Sequence, residues 1–418
     1  MTSVKPSEGT FTGYVDYDQG LVDRRIFSDP DIHRIELERI FARAWLFMCH
    51  ESQIPNKGDF FQTYMGENSV LVTRAADQSV QVLLNHCMHR GNTVCKADSG
   101  TVSSFMCSYH GWTYDLTGKL VGVPGFKNIY DRQLDKDKWG LRKAAHVESY
   151  RGFVFATLDP EAPSLREFLG APGVHMIDTL ANFGDMEVIP GIIKHRLQCN
   201  WKSAMENDQD YYHVGISHAS LFDSIGEAAD DVNQGYWEDQ DGEIIRGEYG
   251  HVADTIPEHN HANVFPHMCM FTNLLQAVVI RHPRGPMETE QWYFSFVDKN
   301  ASEEERRAIL QRNIMRLGPG GVVEQDDGEN WELSTKGAAA PAMRNVPVNY
   351  QMGVGKGELV QESELGFPVM KARRTNEEYA RWQYRAWADW MDADSWQSLK
   401  ANHAHPDHPE KLPTPFER

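Results

Sequence analysis

The chain has little of what would place it outside the cell or in a membrane. Six cysteines in 418 residues are too few for a disulfide framework. Met1 to Tyr14 holds no basic start followed by an apolar stretch, so no secretory leader is expected. No run approaches the roughly 20 apolar residues of a membrane-spanning helix. Positive charge is also scarce: 41 Lys and Arg stand against 60 Asp and Glu, a formal charge of −19. That balance opposes binding to nucleic acid or an anionic membrane and favours solubility, and it would also suit docking of a basic protein. A Gly-x-Gly-x-x-Gly turn after a strand is missing, and Gly353-Val-Gly-Lys-Gly357 does not fit one, so the chain is not expected to bind a dinucleotide. Neither internal repeats nor long low-complexity segments occur. A cytoplasmic protein is expected, long enough for two domains with real cores.

What is present is more telling. Cys87-Met-His89 and Cys107-Ser-Tyr-His110 form two Cys/His pairs with seventeen residues between them. Two chemistries use two Cys and two His: a tetrahedral structural zinc and a Rieske two-iron, two-sulfide cluster, in which two thiolates bind one iron and two imidazoles the other. Zinc fingers usually group their cysteines and their histidines, whereas each loop here carries one of each. That pattern favours the cluster. The remaining Cys49, Cys95, Cys199 and Cys269 read as reduced, mostly packed thiols.

The stretch Asn85-His-Cys-Met-His-Arg-Gly91 with Cys107-Ser-Tyr-His-Gly-Trp112 resembles the Rieske domain of the ring-hydroxylating oxygenases, whose large subunit also carries a mononuclear iron. The resemblance implies a second metal motif downstream. His213 and His218 are candidates, five residues apart, a spacing that diverges on an ideal helix, so the helix is expected to end or distort near Gly215. Alone, such a pair is more often surface or core histidine than ligand. Asn200-Trp-Lys, Glu206-Asn207, Asp210 and Tyr212-His213 match the family pattern around its two iron histidines, which carries the role over. Non-haem Fe(II) oxygenases complete such a pair with one carboxylate. The segment Gly320 to Trp331 resembles the family's acidic segment, where the second of two paired aspartates binds iron, here Asp327; Asp326 and Glu329 read as solvated.

In the family an aspartate three residues before the first iron histidine bridges that histidine to a cluster histidine of the neighbouring subunit. Asp210 stands at that place; otherwise it is an ordinary surface aspartate. Asn207, Asp208 and Gln209 are expected at the substrate pocket, where the Asp-Gln pair hints at a polar or substituted ring, unless both point into helix packing. The resemblance further implies an α+β fold, with a β-rich Rieske domain and a catalytic domain whose antiparallel sheet is surrounded by helices. Its cofactors would be one [2Fe-2S] cluster and one mononuclear Fe(II). Its partners would be an aromatic substrate, dioxygen, and a separate reductase with or without a ferredoxin, in a homotrimer that sometimes adds small beta subunits. The reaction implied is cis-dihydroxylation, with monohydroxylation or demethylation as the runner-up. A pure electron carrier is the other function class, and it would need none of Asp210, His213, His218 and Asp327.

The domains expected are 1–45, an N-terminal helical segment packing on the catalytic domain; 46–160, the Rieske domain; and 161–418, the catalytic domain, with Pro160-Glu-Ala-Pro163 as the exit. Apolar spacing predicts a helix from Pro30 to Trp45, and alternation predicts strands at Ser69–Thr73, Val80–Leu84, Gly152–Thr157 and Glu290–Val297. Ser302 with Glu305 forms a capping box before a helix that ends at Gly318-Pro319, and Thr375 with Glu378 offers another. Beyond it, Tyr379, Trp382, Ala386 and Trp390 form a core stripe. His259, His261 and His267 read as a polar connection, and His403 to Pro409 as a mobile end.

Overall fold

The computed structural model describes residues 10–182, 184–225, 241–255, 261–272 and 275–406. The chain divides into two compact units, Phe41–Leu165, and Met1–Ile40 together with Arg166–Arg418. The architecture is α+β.

The first unit is built from short antiparallel strands. One sheet orders Val80–Leu84, Asn68–Arg74, Asp59–Met65 and Ser99–Thr101; a second orders His146–Tyr150, Phe153–Thr157 and Leu46–His50; a third orders Leu120–Gly122, Thr113–Asp115 and Ser104–Met106. The strands expected at 69–73, 80–84 and 152–157 are all here, within a residue at each end. Phe60, Leu71, Leu83, Phe105, Trp112 and Tyr114 form a core that also takes in Cys87 and Cys107. The Pro160–Pro163 exit is tied to this unit, where the Trp45 indole N–H donates to the Pro163 carbonyl at 2.9 Å.

The second unit centres on a ten-stranded antiparallel sheet, in the order Met186–Val188, Glu288–Asp298, Ala277–Gly285, Met268–Phe271, His261–Val264, Val252–Asp254, Asp241–Arg246, Val369–Arg373 and Glu358–Val360, with Ile193–Leu197 also pairing to Glu288–Asp298. Its helices are α1 (Pro30–Glu36), α2 (Leu165–Ala181), α3 (Trp201–Glu206), α4 (Val214–Ser217), α5 (Ala219–Ile225), α6 (Glu303–Leu317), α7 (Glu324–Ala339), α8 (Glu378–Asp392) and α9 (Trp396–Asn402). Among the described residues no helix is long and apolar enough to cross a membrane.

Several elements differ from expectation for identifiable reasons. The helix from Pro30 stops at Glu36 and widens into a π-type turn, Leu37–Phe41, instead of reaching Trp45. The widening follows the residue that turns furthest inward. The Glu36 carboxylate is fully buried and accepts from Lys202 Nζ (2.5 Å), Trp201 Nε1 (3.0 Å) and Trp387 Nε1 (2.7 Å). Ser302 and Glu305 do form their capping box at the start of α6. The box expected from Thr375 and Glu378 is absent: the N-cap of α8 is Glu377, and the Glu378 amide is taken by Asn376 Oδ1 at 2.7 Å. The stripe Tyr379, Trp382, Ala386 and Trp390 is core, but so is every residue from Glu378 to Met391. A helix buried all round must pair its charges. Here Glu378 meets Arg246 and Arg381, each at 3.0 Å, and Arg385 meets Asp389 at 3.7 Å.

The histidines read as connections are also placed otherwise. His261 opens a strand and His267 is 1% exposed, while His259 lies outside the described residues. His403–Pro406 is docked, with the Ala404 amide on Asp389 and the Pro406 carbonyl on Arg246; His408 lies outside the described residues.

Candidate metal centres

The two Cys/His loops share one backbone design. In each, the cysteine N–H donates to the carbonyl five residues on, Cys87 to Asn92 and Cys107 to Trp112, both at 2.8 Å. The glycine four residues after each cysteine donates back to the cysteine carbonyl, at 2.7 Å for Gly91 and 2.9 Å for Gly111. Those glycines have φ of +76° and +71°, a region that residues with a Cβ rarely enter. The recurrence fixes both loops as tight turns that present their side chains together.

Cys87 and Cys107 are buried, whereas His89 and His110 are half-exposed with ring centroids 4.4 Å apart. The His89 ring stacks on Trp112 at 4.9 Å. Tyr114 Oη lies 3.3 Å from Cys87 Sγ, and the Asn92 amide approaches Cys107 Sγ at 3.6 Å. Burial pushes the Cys107 thiol up, but backbone N–H groups and the Asn92 amide outweigh it, and its pKa is lowered. Thiols grouped inside and imidazoles grouped outside fit a two-iron cluster. Among the described residues, one further group of three or more His, Cys, Asp or Glu has its donors within 4.8 Å of one another.

That other group is His213, His218 and Asp327. Helix α3, capped by Asn200, ends at Glu206 and passes into a 3-10 turn, Asn207–Gln209, before Asp210 adopts extended backbone. One further turn of helix, α4, then runs from Val214 to Ser217 with His213 at its N-cap and His218 at its C-cap. The helix ends at Ser217, two residues past Gly215, near where an end was expected, and an earlier break falls at Asn207–Asp210. Convergence comes from placing the two histidines at opposite ends of a single turn, with ring centroids 5.4 Å apart.

Asp327 arrives from the first turn of α7, 5% exposed, with Oδ1 at 3.3 Å from His213 Nε2 and 3.5 Å from His218 Nε2. That oxygen is buried and, among the described residues, has no hydrogen-bond partner. Donors about 2 Å from one ion at right angles stand roughly 3 Å apart, so the three atoms are spaced to face a common metal. Burial opposes a charge on His213, yet Asp210 and Asp327 carry its pKa up to about 10. Burial likewise opposes the Asp327 carboxylate, which the two imidazoles hold down at about 2.

Each imidazole has a carboxylate behind it. Asp210 Oδ2 is 3.4 Å from His213 Nδ1, and Asp326 Oδ2 is 3.4 Å from His218 Nδ1. Such partners fix the tautomer and the ring orientation of a metal-facing histidine. Glu329 is exposed, as expected; Asp326, whose side chain is 38% exposed, keeps contact with solvent but also faces His218. Its neighbour Asp327 was the only signal that could have marked it.

A cavity of about 330 Å³ adjoins this group, lined by Glu206, Asn207, Gln209, Asp210, His213 and Tyr350 among others. Asn207 Nδ2 reaches within 3.5 Å of His213 Nε2. Glu206 lies between the Tyr350 and Tyr384 hydroxyls, the former at 2.6 Å, and burial pushes its carboxyl up to about 8. Asp208 is not on the cavity wall. Its carboxylate pairs with the buried Arg281 of the sheet, so its expected place at the pocket is corrected to the packing alternative. Gln209 does both, lining the cavity and accepting from Asn263 at 2.7 Å.

A two-histidine, one-carboxylate group in a chain that also carries paired Cys/His turns defines a two-centre iron oxygenase. The family described as the Rieske [2Fe-2S] domain matches residues 44–150, and that described as the ring hydroxylating alpha subunit catalytic domain matches residues 183–393. The chain belongs to the ring-hydroxylating oxygenase alpha subunits, oxidoreductases that carry a Rieske [2Fe-2S] cluster and a non-haem iron. It is 37% identical to the biphenyl dioxygenase alpha subunit of Metapseudomonas furukawaii, over 93% of this chain and 94% of that one. It is 34% identical to a benzene 1,2-dioxygenase alpha subunit of Pseudomonas putida, over 92% and 94%. The solved structure of naphthalene 1,2-dioxygenase with indole bound superposes with a TM-score of 0.87 at 27% identity, covering 94% of this chain and 97% of that one.

Proposed function

We propose that this chain is the terminal oxygenase of a multicomponent system that adds dioxygen to an aromatic ring, giving a cis-dihydrodiol. The observation that carries this reading is the convergence of His213, His218 and Asp327, each histidine backed by its own carboxylate. Cys87, His89, Cys107 and His110 hold the cluster, and His213, His218 and Asp327 hold the iron. When bound, the cluster supplies electrons singly and the ferrous ion supplies a place for dioxygen.

The protein's own groups do the rest. Asp327 faces both Nε2 atoms, while Asp210 and Asp326 stand 3.4 Å behind the two Nδ1 atoms, a placement that orients both rings toward Asp327. Asp210 also extends toward a neighbouring copy's His110 in a ring of three. Electrons come from a separate reductase, with or without a ferredoxin, in the cytoplasm. The names of the relatives support a substrate of one or two aromatic rings. With Asp208 tied to Arg281, only Gln209 of the Asp-Gln pair remains at the cavity, beside other polar lining residues such as Asn207 and Glu206.

The test is product analysis under ¹⁸O₂ with reductase and a panel of biphenyl, benzene, aromatic acids, phenols and amines. A dihydrodiol carrying two labelled oxygens is expected. One labelled oxygen in a phenol, or a demethylated product, would replace dihydroxylation by monooxygenation.

A further inference from the structure

The turn that carries Asn207, Asp210 and His213 is not a regular helix, so little of its geometry is set by its own backbone. The Asp210 amide returns to the Asn207 carbonyl at 3.1 Å, and the Tyr212 amide to Asp210 Oδ1 at 2.8 Å. Asp327 reaches its far end at His213, and the sheet supplies a further set of contacts. From strand His261–Val264, Asn263 Nδ2 donates both to the Met205 carbonyl at 3.0 Å and to Gln209 Oε1 at 2.7 Å. His261 Nδ1 contacts the Asp208 carbonyl. From Val252–Asp254, Asp254 accepts from the Tyr211 hydroxyl at 2.6 Å.

Arg281, in strand Ala277–Gly285, joins these contacts. One arm of its guanidinium holds Asp208, and the other donates to Asn263 Oδ1 at 3.3 Å. Arg281 and Asn263 are each 1% exposed. A buried charge pair of this kind is weak evidence for stability but a strong geometric constraint, because a planar fork has few ways to satisfy two partners at once. Both arms are engaged with protein, which among the described residues leaves only Nε without a partner and argues against Arg281 as an anchor for an anionic substrate.

We propose that Arg281 is a positioning residue for the iron site: through Asp208 and Asn263 it sets the turn Asn207–Asp210, and with it the distance between Asp210 and His213. The inference rests on the iron assignment above and adds a residue 68 positions beyond His213 that touches neither metal nor donor.

The experiment uses the full chain with its cluster, in four forms: parent, Arg281→Met, Arg281→Lys and Asn263→Ala. Arg281→Lys keeps the charge and is the variant most certain to fold. Fe(II) affinity is read by chelator competition, site geometry by the EPR signal of the nitric oxide adduct, and folding by melting and by the cluster spectrum. Arg281→Met is expected to weaken iron about 10- to 100-fold and to change the nitrosyl signal, as loss of a positioning contact does. Arg281→Lys should recover most of the affinity, and Asn263→Ala should fall between them, all with a normal cluster spectrum. Variants that melt lower but bind iron within twofold of parent, with an unchanged nitrosyl signal, would show a purely structural role and overturn the proposal. An Asp327→Ala control separates this from failure of the iron assignment: if that variant keeps its iron, the site itself is elsewhere.

Discussion

The two units solve one problem, holding metal, in opposite ways. In Phe41–Leu165 all four candidate ligands lie within 24 residues, on two turns of matching backbone, with the histidines half-exposed. In the other unit 108 residues separate His218 from Asp327, and the donors are held by buried polar contacts from many strands and helices. Charge divides as sharply. Residues 41–165 carry 13 Lys and Arg against 12 Asp and Glu, so the acidity of the chain resides in the remainder. A basic partner attracted by net charge would therefore be drawn to the second unit and not to the cluster unit. A local site needs only correct turns, whereas one assembled from distant segments needs a lattice of paired charges to hold those segments in register. Glu36 with Lys202, Asp208 with Arg281 and Glu378 with Arg246 are parts of that lattice.

If the sites are independent in this way, His213→Ala or Asp327→Ala should lose iron and all turnover while leaving the cluster's visible spectrum intact. Metal analysis beside the absorption spectrum checks this, and loss of both centres together would break the contrast. The converse change lies in the cluster loops. His89→Cys or His110→Cys should lower the cluster potential by roughly 250 mV or more, or lose the cluster, with iron retained; redox titration reads the shift. Asp210→Ala should keep both metals yet slow cluster reoxidation in single turnover about 10- to 100-fold, since the group that orients His213 is gone. A parent-like rate would remove Asp210 from the electron route.

The lattice itself is tested by Glu36→Gln. Removing one member of a fully buried ion pair leaves Lys202 uncompensated, at a cost of about 3–5 kcal/mol. The melting transition of the second unit should fall while the cluster spectrum persists to its usual temperature. The smallest effect is one of pH. Burial raises Asp389 from its ordinary 3.8 to about 7, with the Arg385 guanidinium and the Ala404 amide opposing. Its folded-state pKa lies above the unfolded one, so its contribution is fully present below about pH 3.8 and is lost as pH rises toward 7. Asp389→Asn should flatten that decline by at most about 1.4 kcal/mol per pH unit, read from denaturant midpoints across the window.

How far the sequence could be read follows the same division. The Cys/His turns were legible because the glycines at 91 and 111 and the cysteines they serve are neighbours in the chain. The Ser302–Glu305 box was legible for the same reason. The pairing of His213 with His218 was visible, but not how they converge, because Asp210's extended backbone is set by Tyr211 and Gln209 binding to strands some 40 to 55 residues away. Asp326 reads as solvent-facing and is 38% exposed, but that α7 also brings it behind His218 is not visible in the chain, and Asp208 reads as a pocket residue until Arg281, 73 residues on, claims it.

By itself, then, the sequence determined which chemistries the protein could hold: thiolate with imidazole on two turns, and imidazole with carboxylate further on. Donor identity and turn geometry are local properties, carried by residues a few positions apart. Tertiary structure alone decided which of several acids faces the metal position, which orients a histidine and which is spent on an arginine. Those roles depend on where segments separated by 70 residues or more come to rest against one another, and adjacent aspartates of identical chemistry, Asp326 and Asp327, differ only in the direction that α7 points them.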